Sequence, residues 1–192
     1  PDIFKDVDAL LNGEKLDLII GGPPCQAYSL AGRSRSETKM VGDKRNYLYK
    51  HYAEFLKKYE PEYFVFENVL GLLSAKDEDG SLHFENMQKL FKEYGYSTEF
   101  LPLNASDYGV LQNRKRIILI GKKGDHKDFY PNIPKTNSVH KVGELFCDLP
   151  SIQAGGGTIT PVATKHYTGK YLFDSGIKEY DTEPVTFHQA RP

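Results

Sequence analysis

The sequence predicts an α/β domain: a layered sheet with helices between its strands and an antiparallel strand pair at one edge. Three observations carry that expectation. Apolar runs at residues 16–20 (LDLII) and 63–66 (YFVF) read as buried strands. Helical periodicity follows each of them. Two further apolar segments, 97–103 and 115–120, follow one another with no helix between, so they pair antiparallel.

Each element has its own local reason. The first strand is stopped by Gly21-Gly22-Pro23-Pro24, a composition that enforces a tight loop. Over residues 46–59, Leu48, Tyr52, Phe55, Leu56 and Tyr59 fall at i, i+4, i+7, i+8 and i+11, on one helical face. Glu60-Pro61 closes that helix. The second strand runs from Phe66 straight into Glu67-Asn68-Val69. Ser81 is expected to cap a second helix that carries Phe84, Met87, Phe91 and Tyr94 on one side and ends at Gly95. The last two strands are joined by the loop NASDYGVLQN. After Gly121 the chain carries prolines, a Gly155-Gly156-Gly157 run and no sustained periodicity. Residues 1–121 therefore read as one layered α/β unit, and 122–192 as an irregular linker or the start of another region.

Composition narrows the class. The 192 residues are 39% hydrophobic and 27% charged, enough to bury one ordinary core. No run approaches the ~18 apolar residues of a membrane span, so no membrane partner is expected. Cys25 and Cys147 are the only cysteines, too few for a disulfide framework or a four-cysteine zinc site. A reducing, cytoplasmic home is the default. No H-E-x-x-H or Walker loop is present, and His83-Phe84-Glu85 lacks the P-C-x-x-C of a zinc deaminase; no metal is expected. The first residue is Pro1, which suits a sequence that begins inside a longer protein.

The net charge of −1 conceals an asymmetry. Residues 33–50 carry a balance of +4 and residues 112–123 one of +5, leaving −10 for the remainder. A solvated face gives similar runs; a local basic surface for phosphates is the competing reading.

Candidate chemistry gathers at strand ends. Ligands of open α/β sheets bind beyond the carboxyl ends of the strands, where the loop to Cys25-Gln26 must lie. A free cysteine is usually a small buried hydrophobe. Here two prolines rule out a helix interior, and Arg33, Arg35 and Arg45 are close enough in sequence to stabilise a thiolate, so Cys25 reads as a nucleophile. Glu67 reaches the same edge, where a partly desolvated carboxyl group can donate a proton. Arg114 and Arg116, two residues apart in an extended segment, share a face and suit an oxygen-rich target or a carbonyl oxygen that gains charge. A charged edge strand is the plainer alternative. His51, His126, His140 and His188 leave a Cys–His hydrolase conceivable.

With these residues in view, the sequence resembles the DNA (cytosine-5) methyltransferase family. Pro23-Pro24-Cys25-Gln26 with Ser29, then Glu67-Asn68-Val69, then Gln112-x-Arg114-x-Arg116 match its signature motifs in order, and Asn104-Ala105-Ser106-Asp107-Tyr108-Gly109 is similar to its stretch before the arginines. The resemblance implies a partial Rossmann-like methyltransferase sheet, S-adenosyl-L-methionine as cofactor, and double-stranded DNA with a flipped cytosine as substrate, in the setting of restriction-modification and near the nucleoid if bacterial. It implies Cys25 as nucleophile at carbon 6, Glu67 on the ring nitrogen, and Arg114 and Arg116 on the base carbonyl and nearby backbone. Pro24 and Leu48 would line the cofactor, as would Asp2-Ile3, although Pro1 stands where the family has glycine. Gln26, Ser29, Arg45 and Gln112 would contact DNA.

The family's Phe-x-Gly-x-Gly loop, its last two motifs and a complete target recognition region have no counterpart in residues 1–192. The expectation is the middle of a longer methyltransferase. Transfer RNA as substrate and a non-catalytic nucleic-acid-binding module are the alternative readings; the oligomeric state is left open. Without the glycine loop, whose bare backbone approaches a ligand closely, residues 1–192 alone should bind S-adenosyl-L-methionine poorly and show no methyl transfer. An exposed sheet edge should also make them poorly soluble. Titration calorimetry checks this: micromolar affinity, roughly −8 kcal/mol, would show the missing flank to be dispensable.

Overall fold

The computed structural model describes residues 2–24, 47–77, 79–136, 141–146, 157–163 and 185–189. The chain divides into two units, Pro1–Asn104 with Arg114–Pro134, and Ala105–Asn113 with Lys135–Pro192. The first unit runs α1 (Ile3–Leu11), β1 (Leu18–Gly21), α2 (Leu48–Tyr59), β2 (Tyr63–Asn68), a 3-10 turn (Leu70–Ser74), α3 (His83–Glu93), β3 (Tyr96–Asn104) and β4 (Lys115–Lys123). Its sheet has the order β1-β2-β4-β3. β1 and β2 are parallel, and β4 runs antiparallel to both β2 and β3. The α/β class and the antiparallel pair are therefore as the sequence predicts, with β3 at the edge.

Strand alternation decides which side of the sheet is dry. Phe64, Phe66 and Asn68 of β2 and Ile117 and Leu119 of β4 are all buried on one face. That face is packed by Tyr49, Tyr52, Ala53 and Leu56 of α2 and by Phe84, Met87 and Phe91 of α3. The core is strongly aromatic: Phe64 meets Phe91 at 4.8 Å and Tyr96 at 5.2 Å between ring centroids, both edge-to-face. Two phenols satisfy strand ends from within it. The Tyr96 hydroxyl donates to the Pro61 carbonyl at 2.9 Å, and burial pushes its pKa up to about 12. The Tyr52 hydroxyl lies 3.2 Å from the Ile19 carbonyl and 3.0 Å from that of Val65, donating to one at a time across β1 and β2. Its ring packs so closely on Gly21 that a Cβ there would stand 2.5 Å from Cε2, so the last residue of β1 must be glycine.

Several local expectations are corrected. The apolar face of α2 is split: Tyr52 and Leu56 turn to the sheet, whereas Phe55 and Tyr59 take Phe4 of α1 at 4.8 and 6.2 Å. The α1 helix itself was not anticipated, and it is held to α2 by Lys58 and Tyr59 on Asp8, whose carboxyl pKa the Lys58 ammonium lowers. Ser81 does not cap α3, whose N-cap is Leu82 with no side-chain cap hydrogen bond; the Ser81 hydroxyl donates to Asp79 at 2.6 Å instead. β1 is not buried on both faces, since Leu18 and Ile20 are 44% and 71% exposed at the edge of the sheet. β2 continues through Glu67 and Asn68, so these residues are in the strand rather than after it.

In the second unit, Asp107 holds the segment after β3. Its carboxylate accepts from Lys135 Nζ at 3.0 Å and its carbonyl from the Thr136 N–H at 2.9 Å. A short helix α4 (Val142–Leu145) and an antiparallel pair, β5 (Gly157–Ala163) and β6 (Val185–Gln189), follow. The register shifts between Gly157 and Pro161, and Pro161 itself stands opposite Phe187, as an edge strand permits. The sequence reading placed no element in this region.

Truncating Phe91, fully buried where α3 meets Phe64, to alanine should cost about 3–5 kcal/mol of unfolding free energy in a urea titration.

Candidate active site

The candidate site forms where the carboxyl ends of β1 and β2 meet the start of β4. Register builds it. Gly21 lies beside Phe66, so Gly22 falls beside Glu67, while Glu67 and Asn68 face Ile118 and Ile117 of β4. Arg116, one residue earlier in β4, thus reaches the end of β2 on the face that Glu67 occupies. Its Nε donates to Glu67 Oε1 at 2.6 Å, and Arg114 brings Nη2 to 3.8 Å from the same oxygen. The Arg116 guanidinium also donates to the Lys115 carbonyl at 2.9 Å, which fixes its plane. The carboxylate is 38% exposed and Arg116 22%, so the pair is partly sheltered yet open to a ligand.

The Gly22-Pro23-Pro24 loop lies against this pair. A Cβ on Gly22 would sit 3.0 Å from Glu67 Oε2. Oε1 is taken by the guanidinium groups, and Oε2 faces the loop. On the other side of the strand, the Asn68 side chain is only 1% exposed. Its Nδ2 donates to the Pro23 carbonyl at 3.2 Å and its Oδ1 accepts from the Val69 N–H at 2.9 Å.

The predicted site residues are thus distributed as follows in space. Glu67, Arg114 and Arg116 converge, with Gly22 and Pro23 beside Glu67 and Asn68. Cys25, Gln26, Ser29 and Arg45, together with Arg33 and Arg35, lie outside the described residues. Gln112 belongs to the second unit, where its N–H donates to the Val110 carbonyl at 2.8 Å. Pro24 is exposed at the end of the described loop, and Leu48 is half-buried as the first residue of α2. Asp2 is the N-cap of α1 and pairs with Lys5 at 3.7 Å, while Ile3 is exposed. Among the described residues, no hydrogen bond or ion pair joins Asp2, Ile3, Pro24 or Leu48 to the Glu67 cluster. The sequence motif by itself gives Asn68 no role of its own. Period-2 alternation from Phe64 and Phe66 already puts it on the dry face, where a polar side chain needs a partner.

Chemically, the edge offers one carboxylate oxygen and two guanidinium groups, a donor and acceptor set suited to bidentate contact with a planar polar ligand. Comparison with known proteins gives the chain its family. A sequence model of C-5 cytosine-specific DNA methylases matches residues 2–179. The chain belongs to that family. It is 38% identical over 154 residues to the Type II methyltransferase M.Bpa9945I of Bacillus paralicheniformis, covering 74% of this chain and 34% of that protein. It is 35% identical over 189 residues to M1.HgaI of Avibacterium volantium, covering 94% and 48%. The chain therefore spans between a third and a half of the length of these relatives. Among solved structures, an Escherichia coli prophage protein assigned as a DNA modification methyltransferase superposes with a TM-score of 0.58 at 27% identity, over 83% of this chain and 43% of that one. The methyltransferase EhMeth of Entamoeba histolytica shares the fold, with a TM-score of 0.51 at 18% identity over 81% and 44%. The sheet is thus of the Rossmann-like methyltransferase kind.

Gly22→Ala is expected to leave stability within about 0.5 kcal/mol, because the neighbour it meets is the end of a flexible side chain. A crystal structure of the variant should show Glu67 Oε2 displaced by a few tenths of an ångström, about the shift that relieves such a contact.

Proposed function

We propose that the protein of which this chain is part methylates carbon 5 of cytosine in double-stranded DNA, as the modification partner of a type II restriction system. The observation that carries this reading is the Glu67 carboxylate gripped by Arg116 and Arg114, beside the loop that leads to Cys25. Family membership and the type II names of the relatives support it.

In this reading the Cys25 thiolate adds to carbon 6 of a cytosine swung out of the stack, since that atom is out of reach within the duplex. Addition pushes electrons into the ring. Glu67 protonates or holds the ring nitrogen beside the amino-bearing carbon, and the two arginines hold the base carbonyl, so charge is dispersed where it develops. The electron-rich carbon 5 would take the methyl group from a sulfonium donor, which leaves as a neutral thioether; its proton then passes to solvent water as the bond from carbon 6 to sulfur breaks and the Cys25 thiolate is released. Gly22, having no side chain, leaves Oε2 approachable from the loop side.

The residues assigned to S-adenosyl-L-methionine suit it in chemistry. Exposed Pro24 and half-buried Leu48 offer apolar contact, and the Asp2 carboxylate, half exposed at the start of α1, offers an acceptor for adenine or ribose donors. When bound, that cofactor supplies an electrophilic methyl group. Gln26, Ser29, Arg45 and Gln112 are assigned to DNA, and the basic segments 33–50 and 112–123 to its phosphates. No helix among the described residues is long and apolar enough to cross a membrane. A cytoplasmic, DNA-associated location accompanies this function, and residues 122–192 are assigned to the approach to the target recognition region.

In the full-length protein, Cys25→Ala should abolish methyl transfer while leaving DNA binding largely intact. Arg45→Ala should weaken DNA binding and lower its salt slope by about one. Filter binding across a salt series, with methyl transfer measured in parallel, checks both; undiminished methylation by the Cys25 variant would refute the nucleophile.

A further inference from the structure

The loop from β1 to Cys25 has little with which to hold itself. Pro23 and Pro24 carry no N–H, so neither can donate a backbone hydrogen bond. Apart from the Gly22 N–H, the backbone carbonyls are the groups by which another element can grip it. Asn68 uses one of them. Its amide is buried to 1% exposure, at the end of β2 on the face of Phe64 and Phe66. Both ends are engaged, Nδ2 by the Pro23 carbonyl at 3.2 Å and Oδ1 by the Val69 N–H at 2.9 Å. The second bond orients the amide so that its donor points at the loop. Glu67, the preceding residue, presents its carboxylate from the opposite face of the same strand to Gly22 and Arg116. One dipeptide therefore touches the loop twice, with the proposed proton donor on one side and a polar anchor on the other.

We infer that Asn68 is a positioning residue: by holding the Pro23 carbonyl it sets where the chain, two residues later, delivers Cys25 relative to Glu67. The inference rests on the methyl-transfer reading above for what Cys25 does. Hydrophobic packing alone does not account for Asn68, because a leucine would fill the same dry face without an amide needing two partners. The functional demand is geometric. A displacement of about 1 Å at a reacting atom can cost roughly 100-fold in rate.

The test uses the full-length protein with Asn68→Ala and Asn68→Asp. Steady-state methylation of duplex DNA gives kcat and the KM for DNA and for S-adenosyl-L-methionine, and alkylation of Cys25 by iodoacetamide is followed by peptide mass spectrometry. With Asn68→Ala, kcat should fall about 100-fold while both KM values stay within about twofold. Asn68→Asp should be as impaired at neutral pH, because a carboxylate cannot donate to a carbonyl. Burial and the adjacent Glu67 raise the pKa of such an aspartate, so its protonated form, which can donate, should restore kcat relative to the wild type as pH falls. Asn68→Ala should show no such recovery. A folded Asn68→Ala with kcat within about threefold of the wild type overturns the inference, as does an Asn68→Asp whose relative rate ignores pH; if the alanine variant does not fold, the aspartate profile decides. If the wild type transfers no methyl group, the functional reading fails by itself. The Cys25 alkylation rate then decides: unchanged by Asn68→Ala it overturns the positioning role, and altered it upholds it.

Discussion

The placement of β4 between β2 and β3 is the constraint on which the candidate site depends. An antiparallel strand inserted there starts where its parallel-running neighbour ends. Its first residues therefore arrive at the carboxyl edge that β1 and β2 share. Because Glu67 faces Ile118, Arg116 falls one step beyond and on the same face, close enough for a 2.6 Å contact. Had β4 run parallel to β2, its arginines would stand at the opposite end of the sheet, away from the loop after β1. The ion pair is thus a product of topology: Arg116 reaches the carboxylate from within β4, and Arg114 from the residue just before that strand.

The same strands tie the site to the core. Phe64 and Phe66 anchor β2 from below, and the fully buried Ile117 and Leu119 anchor β4 beside them. The end of β2 and the start of β4 project only a short way past that packing. Tyr52 adds a cross-brace, its hydroxyl between the carbonyls of Ile19 and Val65 and its ring on Gly21. Side chains held by strands are placed more firmly than side chains held by loops, which is what orientation of a planar ligand demands. Glu67 and Arg116 are both in strands; the loop from Gly22 to Pro24 leans on them and on Asn68.

Much of this was legible in the residues. Short apolar runs, a helical face at residues 46–59 and two successive strands without a helix were enough for the α/β class and its antiparallel edge. The motifs around Cys25, Glu67 and Arg114 were enough for the family, because residue types spaced along strand ends survive as pattern without coordinates. What failed were boundaries and partners. Phe55 and Tyr59 share the period of Leu56, yet they serve a different neighbour, Phe4 of α1, a helix that nothing in the apolar pattern of α2 announces. Ser81 has the chemistry of a cap but spends its hydroxyl on Asp79.

The sequence alone determined the strand and helix periods, the loop that Gly22 and two prolines force after β1, and the types of group available for chemistry, since each follows from local sterics and alternation. Only the tertiary structure decided which of those groups meet. Arg116 is 49 positions from Glu67 in the chain, and Asn68 is 45 from Pro23, so neither contact is implied by local spacing. Strand order and register bring them together, and those are set by burial of Phe64, Phe66, Ile117 and Leu119 against two helices, a collective property of the whole core that no segment carries by itself.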